Sequence, residues 1–400
     1  MIPYDYQEEL SDQALDILKK HAICYLSMEE RTGKTLVAIL MAEKSESIKR
    51  VLVITKKKAL EGWHETLEKF THTKNYTVTN YHQAKKISGN YDLVILDESH
   101  NYLSGYPKPS GIWKDVAKLT AGKPLIYVSA TPYAQGTQLL YHQFKLSSWS
   151  PWSTYKTYYS WFRTYGIPKT MFLYGRQVQK YDSVKTDLVL AGCQHLFLSY
   201  TRKQLGFGQE PEDRLHMIKL DDKVKAAYNK LVDENYLAFA VDGKDWELVC
   251  DTPMKLRTSL HMLEGGVAKV EDNYISLRNN EKINYIKEHW GDTYNVAIMY
   301  QYIEEGNKLR RQFDNAAILQ ATSFAEGVDL SHIEHLVIYS QDFSTARHTQ
   351  RRARQANKRR ELPIIVHYLL VEGGVSEQVY ETVSVNKTNF VDSVFDRSHV

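Results

Sequence analysis

The sequence predicts an α/β protein with two parallel-sheet lobes in tandem and a largely helical, aromatic-rich insertion between them. Short apolar runs alternate with amphipathic segments in the first third of the chain and again in the last third, which is typical of parallel sheets. The middle third lacks this alternation. A length of 400 residues suits two large domains. We expect an N-terminal lobe at 1–220 that contains the insertion at about 133–200, a helical connector at 221–278, and a C-terminal lobe at 279–400.

In the N-terminal lobe, four apolar runs are predicted to form strands. Because each run is almost entirely apolar, the sheet is expected to be covered on both faces. Helical patterns follow the first two runs, at Thr35–Ser45 and Lys58–Phe70. The predicted strands are Ala22–Ser27, Val51–Thr55, Leu93–Asp97 and Leu125–Ser129.

The last third repeats this pattern, and an aromatic stretch runs from Tyr133 to Tyr174 between the lobes. The aromatic stretch is either a base-stacking surface or the core of a helical insertion, and we favour the core. The predicted strands of the C-terminal lobe are Val296–Tyr300, Ala317–Ala321, His335–Ser340 and Ile364–Leu370.

Composition excludes several classes of protein. Hydrophobic residues make up 43% of the chain and charged residues 25%, which is not the composition of a collagen-like, low-complexity or disordered chain. The longest apolar run, Leu36 to Ala42, is too short to span a bilayer. Three scattered cysteines do not suggest a disulfide framework. We therefore expect a cytoplasmic protein that does not associate with a membrane.

The net charge of +3 does not by itself indicate a nucleic-acid-binding protein. The basic residues are unevenly distributed, however. Arg347–Arg360 contains seven basic residues and no acidic one. Such a run either binds phosphates or forms a solvated helix face, and both interpretations can hold for different residues of the run.

A candidate phosphate-binding loop follows the first predicted strand. The strand runs into MEERTGKT and then into a helical pattern, an arrangement that points backbone N–H groups at phosphates. Gly33 permits close approach of the backbone, Lys34 places a cation on the phosphates, and the Thr35 hydroxyl can bind Mg²⁺. Met28 stands where such loops usually begin with glycine, so the Gly-Lys-Thr tripeptide is weak evidence when taken alone.

A second motif strengthens the assignment. The strand LVILD ends in Asp97 and is followed by Glu98, which places two carboxylates at the carboxyl edge of the sheet, where the phosphate loop also lies. Asp97 is predicted to hold the magnesium through water, and Glu98 to position or deprotonate the attacking water. Together the two motifs predict hydrolysis of a nucleoside triphosphate.

The blocks that carry these motifs resemble the superfamily-two helicases and translocases, and the resemblance covers nearly the whole chain. The order and spacing of the blocks are far more specific than any one of them. Three connecting segments, TRKQL, PMKLRTSL and SEQVYETVSVNK, are similar to Swi/Snf-type double-stranded-DNA translocases and their compact phage relatives. The main blocks are YDYQ with Gln7, MEERTGKT, LDESH, SATP (Ser129–Pro132), ATSFAEGVDL (Ala321–Leu330) and TARHTQRRARQANKRR (Thr345–Arg360).

The resemblance implies two RecA-like lobes with ATP and Mg²⁺ as cofactors. Thr35 and Asp97 would bind the metal, and Lys34, Asp97 and Glu98 would be catalytic. Arg354 would be an arginine finger supported by Arg351, although Asn357 stands where a second finger is usual. The implied ATP-binding residues are Gln7, Arg31, Thr32, Gly33, Lys34, Thr35, Gly327, Asp329 and Gln350.

Two further groups of residues follow from the resemblance. His100, Ser129 and Thr131 would couple the nucleotide site to the nucleic-acid groove. Hydroxyls, amides and lysines bind phosphate and sugar without reading sequence, which suits the residues expected along the polymer. The implied nucleic-acid-binding residues are Thr55, Lys56, Lys57, Asn80, Tyr81 and Thr322.

The sequence thus predicts a nucleic-acid-dependent ATPase that acts as a DNA helicase or double-stranded-DNA translocase, with ATP and Mg²⁺ in a cleft between two lobes. Two alternatives remain, an RNA helicase and an ATP-switched nucleic-acid clamp with little turnover. The clamp remains an alternative because Met28 and Asn357 depart from the usual motifs. DNA is favoured over RNA as partner. We expect a monomer, phage-encoded and in the host cytoplasm, with replication or recombination proteins as further partners.

Overall fold

The computed structural model describes residues 1–133, 136–173, 176–206, 211–291, 295–321, 330, 333–345, 348, 365–386, 390–391 and 394–397. The chain divides into two compact units, Met1–Gly206 and Phe207–Val400. No helix among the described residues is long and apolar enough to cross a membrane.

The first unit is built on a parallel sheet. Its strands are β1 (Ile23–Met28), β2 (Arg50–Thr55), β3 (Asn75–Asn80), β4 (Leu93–Asp97), β5 (Leu125–Ser129), β6 (Lys169–Leu173), β7 (Arg176–Lys180) and β8 (Phe197–Tyr200). Six of them form one sheet in the order β3-β2-β4-β5-β1-β8, and every pairing in it is parallel. β4 and β5 are buried along their whole length, because they lie inside the sheet and carry apolar side chains on both faces.

Helices follow the strands of this sheet. Ser110 caps the fourth helix by accepting a hydrogen bond from Trp113 N at 3.1 Å. The helices are α1 (Asp5–His21), α2 (Lys34–Lys44), α3 (Leu60–Lys69), α4 (Gly111–Thr120), α5 (Leu140–Phe144), α6 (Tyr158–Tyr165) and α7 (Thr186–Cys193).

The aromatic stretch forms a core. Trp152, Tyr158, Trp161 and Phe162 are buried in one apolar cluster, and Trp152 and Trp161 meet edge to face at 5.4 Å. This confirms the core interpretation. The insertion is less helical than predicted, because β6 and β7 pair as an antiparallel hairpin. Sequence pattern does not reveal β7, since Arg176–Lys180 is polar at four of its five positions.

The second unit contains another parallel sheet and two hairpins. Its strands are β9 (Glu212–Ile218), β10 (Tyr236–Val241), β11 (Lys244–Val249), β12 (Val267–Val270), β13 (Asn273–Ser276), β14 (Val296–Tyr300), β15 (Ala317–Gln320), β16 (His335–Ile338) and β17 (Ile365–Val371). The sheet has the order β15-β14-β16-β17-β9, all parallel, while β10 pairs with β11 and β12 with β13. The helices are α8 (Asp222–Glu234), α9 (Pro253–Glu264), α10 (Glu281–Trp290), α11 (Ile303–Arg310) and α12 (Val375–Tyr380).

The two parallel sheets confirm the predicted fold class, and all eight predicted strands are present. The predicted lobe boundaries differ from the structure. The chain divides after Gly206 rather than at 220, and β9 joins the second sheet by pairing with β17 along all seven residues. The expected helical connector at 221–278 also contains the two hairpins. β9 escapes prediction because its first three residues, Glu212 to Arg214, are charged.

Candidate nucleotide site at the edge of the first sheet

The loop between β1 and α2 has the shape of a phosphate cradle. Gly33 precedes the first residue of α2 with φ +77°, and Arg31 has φ +65°. The Thr32 hydroxyl donates to the carbonyl of Glu29 at 2.7 Å, which closes the loop on itself. Since the first N–H groups of a helix lack intrahelical partners, those of α2 are available to an anion at this loop.

Lys34 is held against the loop by backbone carbonyls. Its Nζ donates to Met28 O at 2.9 Å and to Glu29 O at 3.1 Å. The ammonium group therefore lies over the end of β1, where a phosphate bound by the loop would meet it. Thr35 follows in the first turn of α2 and is half-buried. Lys34 and Thr35 thus lie together beside the loop, and their predicted binding of phosphate and metal stays a prediction.

The start of α1 packs on this loop. Gln7 is buried, its Oε1 accepts from the backbone N–H of Tyr4 at 3.0 Å, and the Tyr6 hydroxyl donates to Thr32 O at 3.0 Å. A Cβ at Gly33 would lie 2.0 Å from Gln7 Nε2, so position 33 requires glycine both for its φ and for this close approach. Gln7, Thr32 and Gly33 therefore lie together at this loop, and their binding of ATP stays a prediction.

Asp97 is buried at the end of β4 and is held by two donors. Its Oδ2 accepts from the Thr55 hydroxyl at 2.6 Å and from Trp63 Nε1 at 3.0 Å. The Tyr81 hydroxyl donates to the backbone carbonyl of Asp97 at 2.8 Å. Burial and the adjacent charge of Glu98 raise the pKa of Asp97. The two donors oppose that shift and hold the carboxylate in one orientation.

These contacts contradict two of the predicted nucleic-acid contacts. Thr55 is 0% exposed and Tyr81 is 1% exposed, so neither side chain can reach a polymer. Both lie at a sheet edge, but they turn inward because a buried carboxylate and carbonyl need hydrogen-bond donors. Lys57 is exposed and Lys56 is half-buried. Asn80 is half-buried, and its Oδ1 accepts from the backbone N–H groups of His82 and Gln83 at 3.1 and 3.2 Å.

Glu98, His100, Ser129 and Thr131 form one network across the ends of β4 and β5. Ser129 Oγ lies 2.9 Å from His100 Nδ1 and 3.4 Å from Glu98 Oε2, and it accepts from Thr131 N at 3.1 Å. Glu98 has φ +49°, a strained conformation for a residue other than glycine. The structure therefore brings the predicted coupling residues into contact with the predicted catalytic carboxylate.

His100 is neutral in this network. Burial, assisted by the positive charge of Lys56, lowers the pKa of His100 to about 4. The charge of Lys34 acts in the same direction and that of Asp97 opposes it. At neutral pH the imidazole is therefore a hydrogen-bond partner of Ser129 and not the cation of an ion pair with Glu98, whose Oε2 lies 3.5 Å away.

The residues present suit a magnesium ion. Within the described part of the chain, Asp97 Oδ1 accepts no hydrogen bond, and Thr35 is half-buried in the first turn of α2. A carboxylate oxygen, a threonine hydroxyl and water are the ligand types that Mg²⁺ takes in phosphate-binding sites. Among the described residues, no group of three or more His, Cys, Asp or Glu side chains is placed to hold a metal, so a magnesium ion here would depend on water and the bound phosphates for its other ligands.

The remaining predicted site residues lie outside the described part of the chain, and their assignments stay predictions. They are Thr322, Gly327, Asp329, Gln350, Arg351 and Arg354.

Two residues of the site were missed by the sequence analysis. Trp63 lies on the buried face of α3, and Gln143 lies in α5, 44 residues from its partner Ser99. A tryptophan in an amphipathic helix is typical of core packing, and an isolated glutamine carries no motif. Neither residue had a local signal that could have identified it.

Comparisons with known proteins found one family model and several solved structures that are similar to this chain. Residues 1–134 match the family model described as type III restriction enzyme, res subunit. The helicase domain of Hef from Pyrococcus furiosus is similar over 95% of this chain and 98% of that chain, with 13% sequence identity and a TM-score of 0.52, which shows a shared fold. The SWI2/SNF2 ATPase core of Sulfolobus solfataricus in complex with dsDNA aligns over 96% of this chain and 91% of that chain, with 14% identity and a TM-score of 0.47. No curated protein matches the sequence.

Proposed function

We propose, on the premise that this chain is an ATPase of the superfamily-two helicase and translocase group, that it hydrolyses ATP in response to DNA and uses the cycle to move along it. One observation carries the proposal: Lys34, Asp97 and Glu98 share the carboxyl edge of one parallel sheet. β1 and β4 both pair with β5, and Ser27 and Asp97 lie level with Ser129 and Val128. The phosphate loop and the two carboxylates therefore lie at the same edge of the sheet, with β5 between the two strands that carry them.

The chemistry follows from what each group can do. Backbone N–H groups at the start of α2 and the Lys34 ammonium bind the phosphates of the nucleotide. Mg²⁺, when held by Thr35 and Asp97, would neutralise charge on the phosphates. Glu98 accepts a proton from the attacking water and orients it. A neutral His100 supports this role, since a charged imidazole beside Glu98 would stabilise the carboxylate and weaken it as a base.

The groups of the first unit that we propose to contact the polymer are the lysines at the end of β2. Lys56, Lys57 and Lys58 follow Thr55 directly, and Trp63 follows them on α3. Both flanking side chains bind Asp97 Oδ2, so the lysine segment is anchored at each end on the same carboxylate. A phosphate backbone bound by these lysines would act on a segment that is joined to the nucleotide site. This connection is our basis for proposing polymer-dependent turnover.

The second unit contributes only sequence-based assignments to this proposal. Arg354, with Arg351 in support, is proposed as the arginine finger, and Thr322 as a further contact with the polymer. The preference for DNA, the monomeric state, a phage origin and the host cytoplasm likewise stay predictions.

Steady-state ATP hydrolysis tests the proposal directly. The rate is measured with no polymer, single-stranded DNA, duplex DNA, forked DNA and RNA. We expect stimulation of about tenfold or more by DNA and a loss of about 10³-fold in Glu98→Gln, because no base then remains to accept the proton. Glu61→Gln, which changes an exposed carboxylate on α3, is the matched control and is expected to keep full activity.

The same measurement separates the alternatives. Stronger stimulation by RNA than by any DNA would assign an RNA helicase. Bound ATP with negligible turnover under all conditions would assign an ATP-switched clamp and contradict the proposal. Displacement of a third strand from a DNA triplex, without separation of the duplex, would identify translocation and not unwinding.

A further inference from the structure

A fully buried glutamine lies between the two loops that carry the catalytic network. Gln143 is 0% exposed, and its side-chain Oε1 accepts from the Ser99 hydroxyl at 2.7 Å and from the Tyr25 hydroxyl at 2.9 Å. Its Nε2 donates to Pro132 O at 2.9 Å and to Leu139 O at 3.1 Å. A primary amide has two acceptor and two donor positions, and all four are filled here.

The partners of this amide are adjacent to the catalytic residues. Ser99 directly follows Glu98, and Pro132 directly follows Thr131. Gln143 therefore joins the loop after β4 to the loop after β5. Ser129 joins the same two loops through its contacts with Glu98 and His100.

Packing alone does not require an amide at this position. The surroundings are aromatic: Tyr25 and Tyr127 stack at 5.2 Å and both meet Phe144 edge to face. A methionine would fill a similar volume without needing four hydrogen-bond partners, and a buried amide is costly unless all of its groups are satisfied. A fully satisfied polar group in such a core imposes one arrangement on the segments that it joins.

We propose that Gln143 is a positioning residue for the hydrolytic carboxylate: through Ser99 and Pro132 it holds Glu98 in its strained conformation and in register with Ser129 and Thr131. A residue at φ +49° persists only where its surroundings over-determine it, and the clamp on the next residue supplies that constraint. A shift of the Pro132 loop is transmitted through the same amide to Glu98. The role of Glu98 rests on the proposed function, while the clamp on its loop does not.

Gln143→Met tests the proposal by keeping the volume and removing the hydrogen bonds. We expect kcat to fall about tenfold or more, because Glu98 acts in the chemical step, while ATP affinity stays within about twofold. Gln138→Met is the matched control, since Gln138 is also buried but its Nε2 donates to Tyr106. Equal effects of the two variants on kcat and on ATP affinity would show that Gln143 only packs.

Gln143→Glu tests whether kcat recovers when the hydrogen bonds are restored, a recovery that would not occur if position 143 only filled space. A protonated glutamate can accept from Ser99 and donate to Pro132 O, whereas an ionised one cannot donate. The kcat of this variant relative to wild type is therefore expected to rise by about threefold or more between about pH 8 and about pH 6, with no such rise in Gln143→Met. A ratio that is flat with pH and equal to that of the methionine variant would overturn the proposal.

Backbone hydrogen exchange tests the clamp on the two loops without relying on ATP turnover. Backbone exchange in peptides covering 96–104 and 125–133 is expected to accelerate in Gln143→Met and to stay unchanged in Gln138→Met. If the wild type hydrolyses no ATP, the proposed function fails, but this comparison still decides whether Gln143 clamps the two loops. Unchanged exchange in both segments would overturn the clamp.

Discussion

Thr55 donates its hydroxyl hydrogen to Asp97 Oδ2 at 2.6 Å, so the end of β2 is joined to the carboxylate at the end of β4. This contact changes the expected role of Thr55. A residue that was predicted to touch the polymer instead holds a carboxylate that is expected to bind magnesium. Lys56 to Lys58 follow it directly, so a polymer bound by these lysines would contact the chain one to three residues from Thr55.

Thr55→Val should therefore disturb the nucleotide site and not the polymer surface. We expect a loss of about 1–3 kcal/mol in the free energy of unfolding, because the buried carboxylate loses a donor, together with lower kcat. Thr55→Ser keeps the hydroxyl and should retain most of both. DNA affinity, measured by fluorescence anisotropy, should change by less than about twofold in the absence of nucleotide. Weaker DNA binding with normal stability and turnover would restore the original prediction of a direct contact.

Trp63→Phe isolates the second donor to Asp97. The substitution keeps an aromatic ring on the buried face of α3 and removes the N–H group that donates at 3.0 Å. We expect a loss of about 1–2 kcal/mol in stability and a higher Mg²⁺ concentration for half-maximal ATPase, since the carboxylate is less firmly oriented.

Trp113→Phe is the control for this prediction. Trp113 Nε1 donates to the His142 carbonyl at 2.7 Å, so its loss carries a comparable hydrogen-bond cost away from Asp97. Its Mg²⁺ dependence should match wild type. The same increase in Mg²⁺ requirement in both variants would argue against a specific role of Trp63.

The sequence predicted that Lys34, Asp97 and Glu98 lie at one sheet edge, as they do in the structure, but it did not predict the inward contacts made there. The motifs place Lys34, Asp97 and Glu98 at one sheet edge, because parallel strands end together and apolar runs reveal the buried strands. Position at an edge does not determine whether a side chain faces solvent or a buried carboxylate, which is why the prediction for Thr55 was wrong. Gln143 was missed because its hydrogen bonds join segments that are distant in the sequence.

The lysines after β2 should account for salt-dependent polymer binding by the first unit. Replacing Lys56, Lys57 and Lys58 together with glutamine should weaken DNA binding uniformly across sequences. It should also reduce the slope of log affinity against log salt by about 2–3, if each lysine releases one counterion. Lys118→Gln, which changes an exposed lysine on α4, is a single-site control. It should leave the slope of log affinity against log salt unchanged. A triple variant with the wild-type slope would show that the polymer lies elsewhere.

His100 should make the protein less stable in acid. Its folded-state pKa is about 4, whereas the ordinary value is 6.5, so between these values the unfolded chain binds a proton that the folded chain does not. This group does not reduce the free energy of unfolding above about pH 6.5. As the pH drops from there toward 4, the free energy of unfolding falls by about 3 kcal/mol in total. His100→Gln removes the titrating group and should flatten this part of the profile. Urea unfolding of both proteins between pH 7.5 and pH 4.5 measures the difference, and parallel profiles would contradict a neutral, buried His100.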